Sequence, residues 1–556
     1  MQSMEEGMKR MKIPIGLDDF KEVRENGYYF VDKSELISDI IESGYKVYLF
    51  TRPRRFGKSL NLSMLDAFFN LKYKGNSWFD GLKINGHLEA EKYRNMHPVI
   101  CLNMKNLTMD TKKDFIDRFK TRMASVYRGF SYLKNSESVD RGLREDYLDT
   151  KVKNFGESEL ENSLLALCEM LEQHHGVKPI ILIDEYDHPI NSSFGDGSYG
   201  EILKFLRNFY SQSFKSNEHM SFAALTGVMQ VAKEGIFSGL NNLKVDNIFD
   251  VKFDERYGFT EPEVKELCSY YGHPEKFGEA KEWYDGYKFG NADIYNPWSI
   301  LNYIDSDFIP KKYWAGTSGN DIIDTLLENA DEETFRELTA LGNGEAVLKI
   351  LTPTVAMNDL ENEHDAVFSV LAAAGYLNAA LAEEDSYSLS IPNREMYSVF
   401  YDHIRRFTFR RGDDLYARFL NALETGDTEK IQAVLSDILS KNYPFLLLKD
   451  EGDYHLILAT IVLGREGRYR VSIDRESGNG RPDILMESRH PKYPNIVVEI
   501  KKAQSDSAAE LERLAYEALE QIKEKDYCRG LKGKALLYGI SFKGKEAKAL
   551  LEETSL

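Results

Sequence analysis

The stretch Lys46-Val-Tyr-Leu-Phe-Thr-Arg-Pro-Arg-Arg-Phe-Gly-Lys-Ser59 determines which fold this chain adopts. Its apolar start, Lys46–Phe50, predicts a buried strand, and the pattern of Leu60–Phe69 predicts a helix that begins directly after Ser59. A strand, a tight loop ending in Gly-Lys-Ser and a helix form the layout of a phosphate-binding loop. Backbone N–H groups and the helix N-terminus hold a polyphosphate in such a loop. We therefore predict a nucleotide-binding site here.

The residue types of this loop suit ATP with Mg²⁺. The Lys58 amine would reach the β- and γ-phosphates, and the Ser59 hydroxyl would hold the metal. The guanidinium groups of Arg54 and Arg55 suit phosphate, although exposure to solvent or an intramolecular salt bridge is an alternative. The candidate nucleotide-binding residues are Arg54, Arg55, Phe56, Gly57, Lys58, Ser59, Leu60 and Thr226.

The loop departs from the usual pattern at its start. Glycine is expected five residues before Gly57, and this chain has Arg52 there, followed by Pro53. Only glycine takes a positive φ freely, and proline supplies no N–H. The sequence therefore predicts a loop that binds ATP and leaves open how fast the ATP is hydrolysed.

A second motif supports the first. Ile180-Ile-Leu-Ile-Asp-Glu185 is an apolar strand that ends in two carboxylates. In an ATPase, Asp184 would orient the metal and its water shell, and Glu185 would polarise the attacking water. The alternative is a buried strand whose polar end lies at the surface. Thr226, at the end of a third strand, is placed either as a γ-phosphate sensor or as a strand cap. Two further candidates for stabilising charge are Arg207 and Lys233.

Composition limits the class of protein. A chain of 556 residues suggests about three or four domains. No run of about 18 apolar residues occurs, so no membrane span is expected. The N-terminus lacks an export signal, and the four widely spaced cysteines predict reduced thiols in a cytoplasmic protein. A net charge of −19 means that nucleic acid has to bind through local basic patches.

The order of predicted elements indicates an α/β fold class. Strands alternate with helices up to about residue 255, which favours a parallel sheet with helices on both faces. The pattern is then mostly helical, and Tyr376–Leu381 with Ser386–Ile391 predicts a hairpin that suggests a winged-helix-like unit. Predicted strands from residue 468 onward, a helix at 507–525 and a final strand at Lys534–Ser541 indicate a small C-terminal α/β domain.

This last region carries a second candidate site. Asp483 opens one strand, and Glu499 and Lys501 alternate along the next, so they share one face. Asp483 and Glu499 would hold Mg²⁺, while Lys501 would activate water and stabilise charge during phosphodiester hydrolysis. Glu451, on the preceding helix, and Gln521, on the following one, would complete the site. The alternative is a common exposed Glu-x-Lys strand pattern, although a charged pair on a buried strand requires a partner.

These motifs together resemble bacterial proteins that join an AAA-ATPase-like domain to a C-terminal PD-(D/E)XK nuclease-superfamily domain. The matching segments are Tyr29–Ser34, Arg52–Ser59, Ile183–Asp187, Lys233–Asn242, Trp283–Tyr287, Tyr295–Trp298, Thr317–Asn320, Ile391–Glu395, Pro482-Asp483 and Glu499–Lys501. The Arg-Pro-Arg-Arg start resembles the family's own loop. One departure is Gln230, where similar proteins often carry a basic residue, so phosphate sensing at that position is in doubt.

The resemblance implies an architecture and a set of functions. Its implied domains are an AAA-like P-loop ATPase at 1–255, a helical lid-like region with an aromatic loop at 256–335, a helical, winged-helix-like region at 336–440, and a restriction-endonuclease-like PD-(D/E)XK domain at 441–556. The leading hypothesis is an ATP-binding, Mg²⁺-dependent ATPase that controls nucleic-acid cleavage. One alternative is a nucleotide-gated scaffold whose nuclease fold binds without cutting. Another is an ATPase that acts on protein partners. Assembly into a homo-oligomer is compatible with each of these hypotheses.

Overall fold

The computed structural model divides the chain into two compact units. One unit comprises Met1–Trp314 and Lys349–Tyr387, and the other comprises Ala315–Leu348 and Ser388–Leu556. The structure describes residues 10–107, 111–149, 151–193, 197–231, 237, 240–314, 332–342, 344–352, 354–355, 364–383, 385–400, 415–442, 451–462, 468–473, 480–504 and 507–556.

The bounds of the elements follow in chain order. The strands are β1 Val47–Thr51, β2 Val99–Asn103, β3 Ile180–Asp184, β4 Ala223–Gly227, β5 Gln230–Val231, β6 Leu243–Asp246, β7 Phe259–Thr260, β8 Tyr287–Phe289, β9 Ala292–Tyr295, β10 Val347–Ile350, β11 Thr354–Val355, β12 Asn378–Glu383, β13 Ser386–Ser390, β14 Tyr469–Ile473, β15 Ile484–Ser488, β16 Asn495–Lys502, β17 Lys534–Lys543 and β18 Glu546–Ser555. The α-helices are Phe20–Glu25, Glu35–Ser43, Lys58–Phe69, Leu88–Glu91, Lys112–Gly129, Arg141–Leu143, Glu157–Glu161, Ser163–His175, His188–Asn191, Tyr199–Phe214, Glu261–Tyr270, Phe277–Tyr284, Pro297–Asp305, Glu332–Gly342, His364–Ala374, Leu415–Thr425, Thr428–Asn442, Glu451–Val462 and Ala508–Glu524.

A five-stranded parallel sheet organises the N-terminal unit. Its order is β2-β3-β4-β1-β6, so β4 separates the loop strand β1 from the carboxylate strand β3. Successive strand residues face opposite sides. Leu49 packs in the core that contains helices Lys112–Gly129 and Tyr199–Phe214, while Tyr48 packs in the core that contains helix Lys58–Phe69. The predicted parallel sheet with helices on both faces is confirmed.

The chain becomes mainly helical after β6, as predicted. Helix Glu261–Tyr270 begins with a capping box, in which the Thr260 N–H donates to Glu263 at 2.7 Å. A small antiparallel sheet in the order β7-β9-β8 lies beside it. Ile13 and Ile15 from the N-terminal segment pack against this helical core.

A mixed five-stranded sheet in the order β14-β15-β16-β17-β18 organises the C-terminal unit. Only β16 and β17 pair in parallel among these neighbours. Helix Ala508–Glu524 packs on one face, and Gly539 on β17 permits its close approach, because an added Cβ would lie 2.0 Å from the carbonyl oxygen of Ala515. The other face packs against helices that include Leu415–Thr425 and Glu451–Val462. The predicted α/β class of this region is confirmed.

The sequence prediction missed eight strands, β5 to β11 and β18, of which β8 and β9 lie in the segment expected to be an aromatic loop. β6 extends the parallel sheet beyond β1, and β18 pairs with β17 along its whole length, so the prediction that Lys534–Ser541 forms the final strand was wrong. β12 and β13 are neighbours, as a hairpin requires. Lys233 and the motif Thr317–Asn320 lie outside the described residues. All four cysteines are free thiols. Among the described residues, no helix has the length and apolar character needed to cross a bilayer.

Candidate functional site

The loop between β1 and helix Lys58–Phe69 has the backbone of an anion cradle. Gly57 is the N-cap residue, with a φ of 85°, and no side chain caps the first turn of the helix. The N–H groups of that turn therefore remain available to a ligand. The other positive φ of the loop, 70°, lies at Arg55. Arg52 does not adopt a positive φ, so the loop forms without the glycine that the usual pattern places there.

Arg52 is a buried structural residue and not a phosphate ligand. Its Nη2 lies 2.5 Å from Asp246 Oδ1 at the end of β6, and its Nη1 donates to the Asp246 carbonyl at 3.0 Å. Tyr257 and Phe289 present their rings to the guanidinium at 5.1 and 5.3 Å. Burial raises the pKa of Asp246, and the Arg52 charge opposes that rise. The start of the loop is thus tied to the neighbouring strand.

Phe56 fixes the middle of the loop by packing. Its buried ring lies 5.1 Å from the rings of both Tyr287 and Phe289, and its carbonyl accepts the Gly258 N–H at 3.1 Å. The exposed Arg55 stacks its guanidinium on Trp298 at 4.1 Å. Among the predicted nucleotide-binding residues, Phe56 therefore anchors the loop through its buried ring and its backbone carbonyl. Arg55 is exposed, as one alternative allowed, and is held by an aromatic ring.

Lys58 points back into the loop. Its amine donates to the carbonyls of Arg52 and Pro53 at 2.8 and 2.7 Å. Burial lowers the pKa of Lys58 to about 8, and the charges of Asp184 and Asp187 oppose that shift. The amine is therefore held beside the loop by neutral carbonyl oxygens.

Asp184 collects hydrogen-bond donors from three neighbouring elements. Ser59 Oγ donates to its Oδ2 at 2.7 Å, and Thr226 Oγ1 donates to its Oδ1 at 2.6 Å. Asn103, at the end of β2, donates to Oδ2 at 3.3 Å. The parallel register explains this convergence, since the carboxyl ends of β2, β3 and β4 meet at one edge of the sheet. Asn103 was missed because a lone asparagine after an apolar strand carries no distinctive signal.

Glu185 follows Asp184 in a left-handed backbone conformation, with a φ of 53°. Burial and the neighbouring Asp184 raise its pKa, against the charges of Lys105 and Lys58. His188 Nδ1 lies 3.9 Å from Glu185 Oε2. A positive φ in a residue with a side chain costs free energy and is typical of functional sites. Arg207 lies on helix Tyr199–Phe214.

The second site lies where β15 begins and β16 ends. The Asp483 N–H donates to Glu499 Oε2 at 3.4 Å, and Asp483 Oδ2 accepts the Ile500 N–H at 2.6 Å. Lys501 Nζ lies 3.9 Å from Glu499 Oε1, so the predicted common face of the two side chains is present. Burial and then the charge of Asp483 raise the pKa of Glu499 to about 8, against Lys501.

Two helices supply further contacts to this site. The Gln521 amide donates to Glu499 Oε1, and Gln521 also lies 3.4 Å from the buried Tyr527 hydroxyl. On the preceding helix, Glu451 Oε2 accepts the Lys502 N–H at 3.0 Å, and His455 Nε2 lies 3.1 Å from the Asp483 carbonyl oxygen. The structure thus brings together all five residues that the sequence proposed here. His455 lies on helix Glu451–Val462 and Tyr527 just after helix Ala508–Glu524, and both were missed because neither stands in a recognisable motif.

The comparisons with known proteins agree with this geometry. Residues 14–237 match the AAA-ATPase-like family, described as "Predicted AAA-ATPase", and residues 449–551 match the PD-(D/E)XK nuclease superfamily. The chain joins an AAA-ATPase-like domain to a PD-(D/E)XK nuclease-superfamily domain. Their order along the chain is the one that the resemblance implied. ATPase-like and nuclease-like functions are therefore supported in general terms.

One relative comes from Azotobacter chroococcum mcd 1 and is described as an "Uncharacterized protein in vnfD 5'region". It is 28% identical over 409 residues, which cover 70% of this chain and 69% of the relative.

Both domains offer oxygen donors suited to a hard divalent cation. The AAA-ATPase-like domain presents Ser59 beside Asp184, and the nuclease-superfamily domain presents Asp483 beside Glu499. Within the described residues, no group of three or more His, Cys, Asp or Glu side chains is arranged to hold a metal. Pairs of oxygen donors such as these are compatible with a divalent cation whose remaining ligands are water and substrate phosphates.

Proposed function

We propose that this protein is an ATP-binding, Mg²⁺-dependent ATPase whose C-terminal domain cleaves nucleic-acid phosphodiesters under control of the nucleotide. The observation that carries the first half is the convergence of Ser59 and Thr226 on Asp184 beside the uncapped helix at Gly57. The second half rests on the joint placement of Asp483, Glu499 and Lys501.

In the ATPase site each residue has a chemical task. The first-turn N–H groups of helix Lys58–Phe69 would hold the β-phosphate, and the Lys58 ammonium would exchange its carbonyl partners for phosphate oxygens. Bound Mg²⁺ would neutralise phosphate charge. Ser59 and Asp184 would hold it, and Thr226 and Asn103 would fix the Asp184 carboxylate. Glu185, whose pKa is raised, would accept a proton from the attacking water.

In the nuclease-like site, two carboxyl groups lie close together, and one of them is buried. Glu499 lies next to Asp483 in a desolvated position, which a divalent cation would stabilise electrostatically. Lys501 would orient the attacking water and stabilise the negative charge that develops on the phosphate. Gln521 would hold Glu499 in place through its amide donor. Nucleic acid would approach through local basic side chains, because the net charge of the chain is −19.

The test separates the two activities. Full-length protein, Glu185→Gln and Lys501→Met would be assayed for ATP binding, phosphate release and cleavage of labelled DNA and RNA with Mg²⁺. Loss of a positioned general base costs about 10²–10⁴-fold in rate, so Glu185→Gln should bind ATP and release phosphate at least that much more slowly. Lys501→Met should keep ATP hydrolysis and lose cleavage.

Two outcomes would redirect the proposal. Wild-type protein that hydrolyses ATP and binds nucleic acid without cutting it would favour the nucleotide-gated scaffold. Wild-type protein that hydrolyses ATP and neither binds nor cuts nucleic acid would favour an ATPase that acts on protein partners.

A further inference from the structure

Residues 314 and 375, which lie far along the chain but within the same unit, contact Pro53 and Arg54 of the phosphate loop. Helix His364–Ala374 ends at Gly375, which has a φ of +86°, as glycines that terminate helices commonly do. A Cβ placed on Gly375 would lie 2.7 Å from Pro53 Cβ. The loop and this helix end therefore approach more closely than any other residue at position 375 would allow.

A tryptophan holds the next residue of the loop. The Trp314 indole N–H points to the Arg54 carbonyl oxygen at 3.5 Å, and the Trp314 ring lies 4.9 Å from the ring of Tyr376 at 82°. Both rings are buried, with 3% of each residue exposed. Three successive loop carbonyls are thus engaged: those of Arg52 and Pro53 by the Lys58 amine, and that of Arg54 by Trp314.

A third contact involves the segment that follows Thr226, the residue proposed to lie near the γ-phosphate. The chain leaves Thr226 at the end of β4 and forms β5, whose Gln230 pairs in parallel with Thr354 of β11. Tyr186 and Asp187 hold the connection. The Tyr186 hydroxyl donates to the Met229 carbonyl at 2.6 Å, and Asp187 Oδ2 accepts the N–H groups of Val228 and Met229 at 2.9 and 3.0 Å. Thr354 therefore pairs with the strand that follows Thr226, and Gly375 lies against the loop that would bind phosphate.

We propose that Trp314, Gly375 and Tyr376 form a brace that positions the phosphate loop and reports nucleotide binding to the stretch of chain that continues into the C-terminal unit. This inference rests on the proposed ATP binding and adds how that site would be regulated. Binding of ATP would draw Lys58 from the carbonyls of Arg52 and Pro53 toward phosphate. The Pro53–Arg54 backbone that the brace contacts would adjust as a result.

A matched pair of glycine substitutions tests the positioning role. Gly375→Ala and Gly176→Ala each place a side chain at a left-handed helix end, with φ of +86° and +69°, but a Cβ at Gly176 meets no atom within 4 Å. Both variants carry similar backbone strain, and only the first presses on Pro53. We expect Gly375→Ala to weaken ATP binding to the full chain by about tenfold or more, which is about 1.4 kcal/mol, while Gly176→Ala binds normally.

A second pair covers the case in which Gly375→Ala does not fold. Trp314→Phe removes the donor to Arg54, whereas Trp78→Phe removes an indole donor to Glu25, which is not part of the loop. Trp314→Phe should weaken ATP binding, and Trp78→Phe should not. Hydrogen exchange reports the communication: the amide N–H groups of Tyr376 and Leu377 both bond to the Leu371 carbonyl, and we expect ATP with Mg²⁺ to slow their exchange. Lys58→Met should abolish that effect.

The possible failures are distinct. If wild-type protein binds no ATP, the proposed function falls and the brace falls with it. The brace alone is refuted by a different pattern, in which wild-type protein binds ATP and Lys58→Met does not. In that pattern Gly375→Ala and Trp314→Phe bind ATP normally, and the amide hydrogen-exchange rates of residues 371–378 are the same with and without ATP.

Discussion

Arg52 and Asp246 form an ion pair with their side chains 0% and 1% exposed, and their closest atoms are 2.5 Å apart. Arg52 stands at the position where a phosphate-binding loop usually begins with glycine. Removal of one partner of a buried pair typically costs about 3–5 kcal/mol, because the other charge stays buried without compensation. Arg52 is therefore the structural partner of the buried Asp246 and not a defect of the loop.

Arg52→Gly, which restores the usual glycine, should destabilise the ATPase-like domain by about 3–5 kcal/mol and should not improve ATP binding. Thermal unfolding of the full chain and ATP titration would measure both effects. The double variant Arg52→Met/Asp246→Leu should recover much of the lost stability, because no charge is then left unpaired. A fully stable Arg52→Gly protein with tighter ATP binding would contradict the structural role.

The lowered pKa of Lys58 predicts how ATP affinity depends on pH. Burial sets the pKa of the free site to about 8, and bound phosphate would raise it, so binding favours the protonated amine. Affinity should be constant below that pH and fall by up to about tenfold per pH unit above it. Titrations with EDTA present exclude metal effects, and Lys58→Met should lack the slope. A wild-type affinity that rises between pH 8 and 9 would contradict this assignment.

Gln521 should be needed for cleavage and dispensable for ATP hydrolysis. Its amide donates to the buried Glu499, which a bound divalent cation would keep ionised, and a hydrogen bond to a charged group contributes about 1.5–3 kcal/mol. Gln521→Ala should therefore slow cleavage by about 10–100-fold, and Gln521→Glu should slow it further by charge repulsion. Glu512→Gln, at an exposed position of the same helix, is the matched control. Equal rates for Gln521→Ala and Glu512→Gln would exclude a role for this amide.

Thr226 should tune metal binding in the ATPase site. Thr226→Val keeps the shape of the side chain and removes the donor to Asp184 Oδ1, which leaves a buried acceptor atom short of one partner. The Mg²⁺ concentration needed for half-maximal phosphate release should rise, while Thr226→Ser should behave like wild type. An unchanged Mg²⁺ requirement in Thr226→Val would favour the simpler role of a strand cap.

Local sequence patterns predicted the sheet strands that are buried on both faces. They also predicted the polar residues at the carboxyl ends of those strands. Strands such as β1 and β3 are continuous apolar runs, which sequence periodicity detects well. β6 was missed because three of its four residues are only partly buried, as is common at a sheet edge. β18, Glu546–Ser555, mixes charged and small residues without strict alternation, so no strand signal stands out.

The sites were predictable only in part, for a related reason. Lys58, Asp184 and Glu499 stand in motifs whose spacing carries information. The burial of Arg52 depends on Asp246, which is 194 residues away in sequence, and Asn103 reaches Asp184 from 81 residues away. Contacts of that separation arise from the strand order and not from local sequence, so no motif around Arg52 or Asn103 could reveal them.

The most direct test of the account is cleavage of labelled DNA and RNA by the full-length protein with Mg²⁺, with and without ATP, alongside Lys58→Met and Asp483→Asn. We predict that ATP changes the cleavage rate of the wild type, that Lys58→Met cleaves at one rate whether ATP is present or absent, and that Asp483→Asn does not cleave. A wild type and an Asp483→Asn variant that cut equally, or a Lys58→Met variant that responds to ATP as the wild type does, would contradict it.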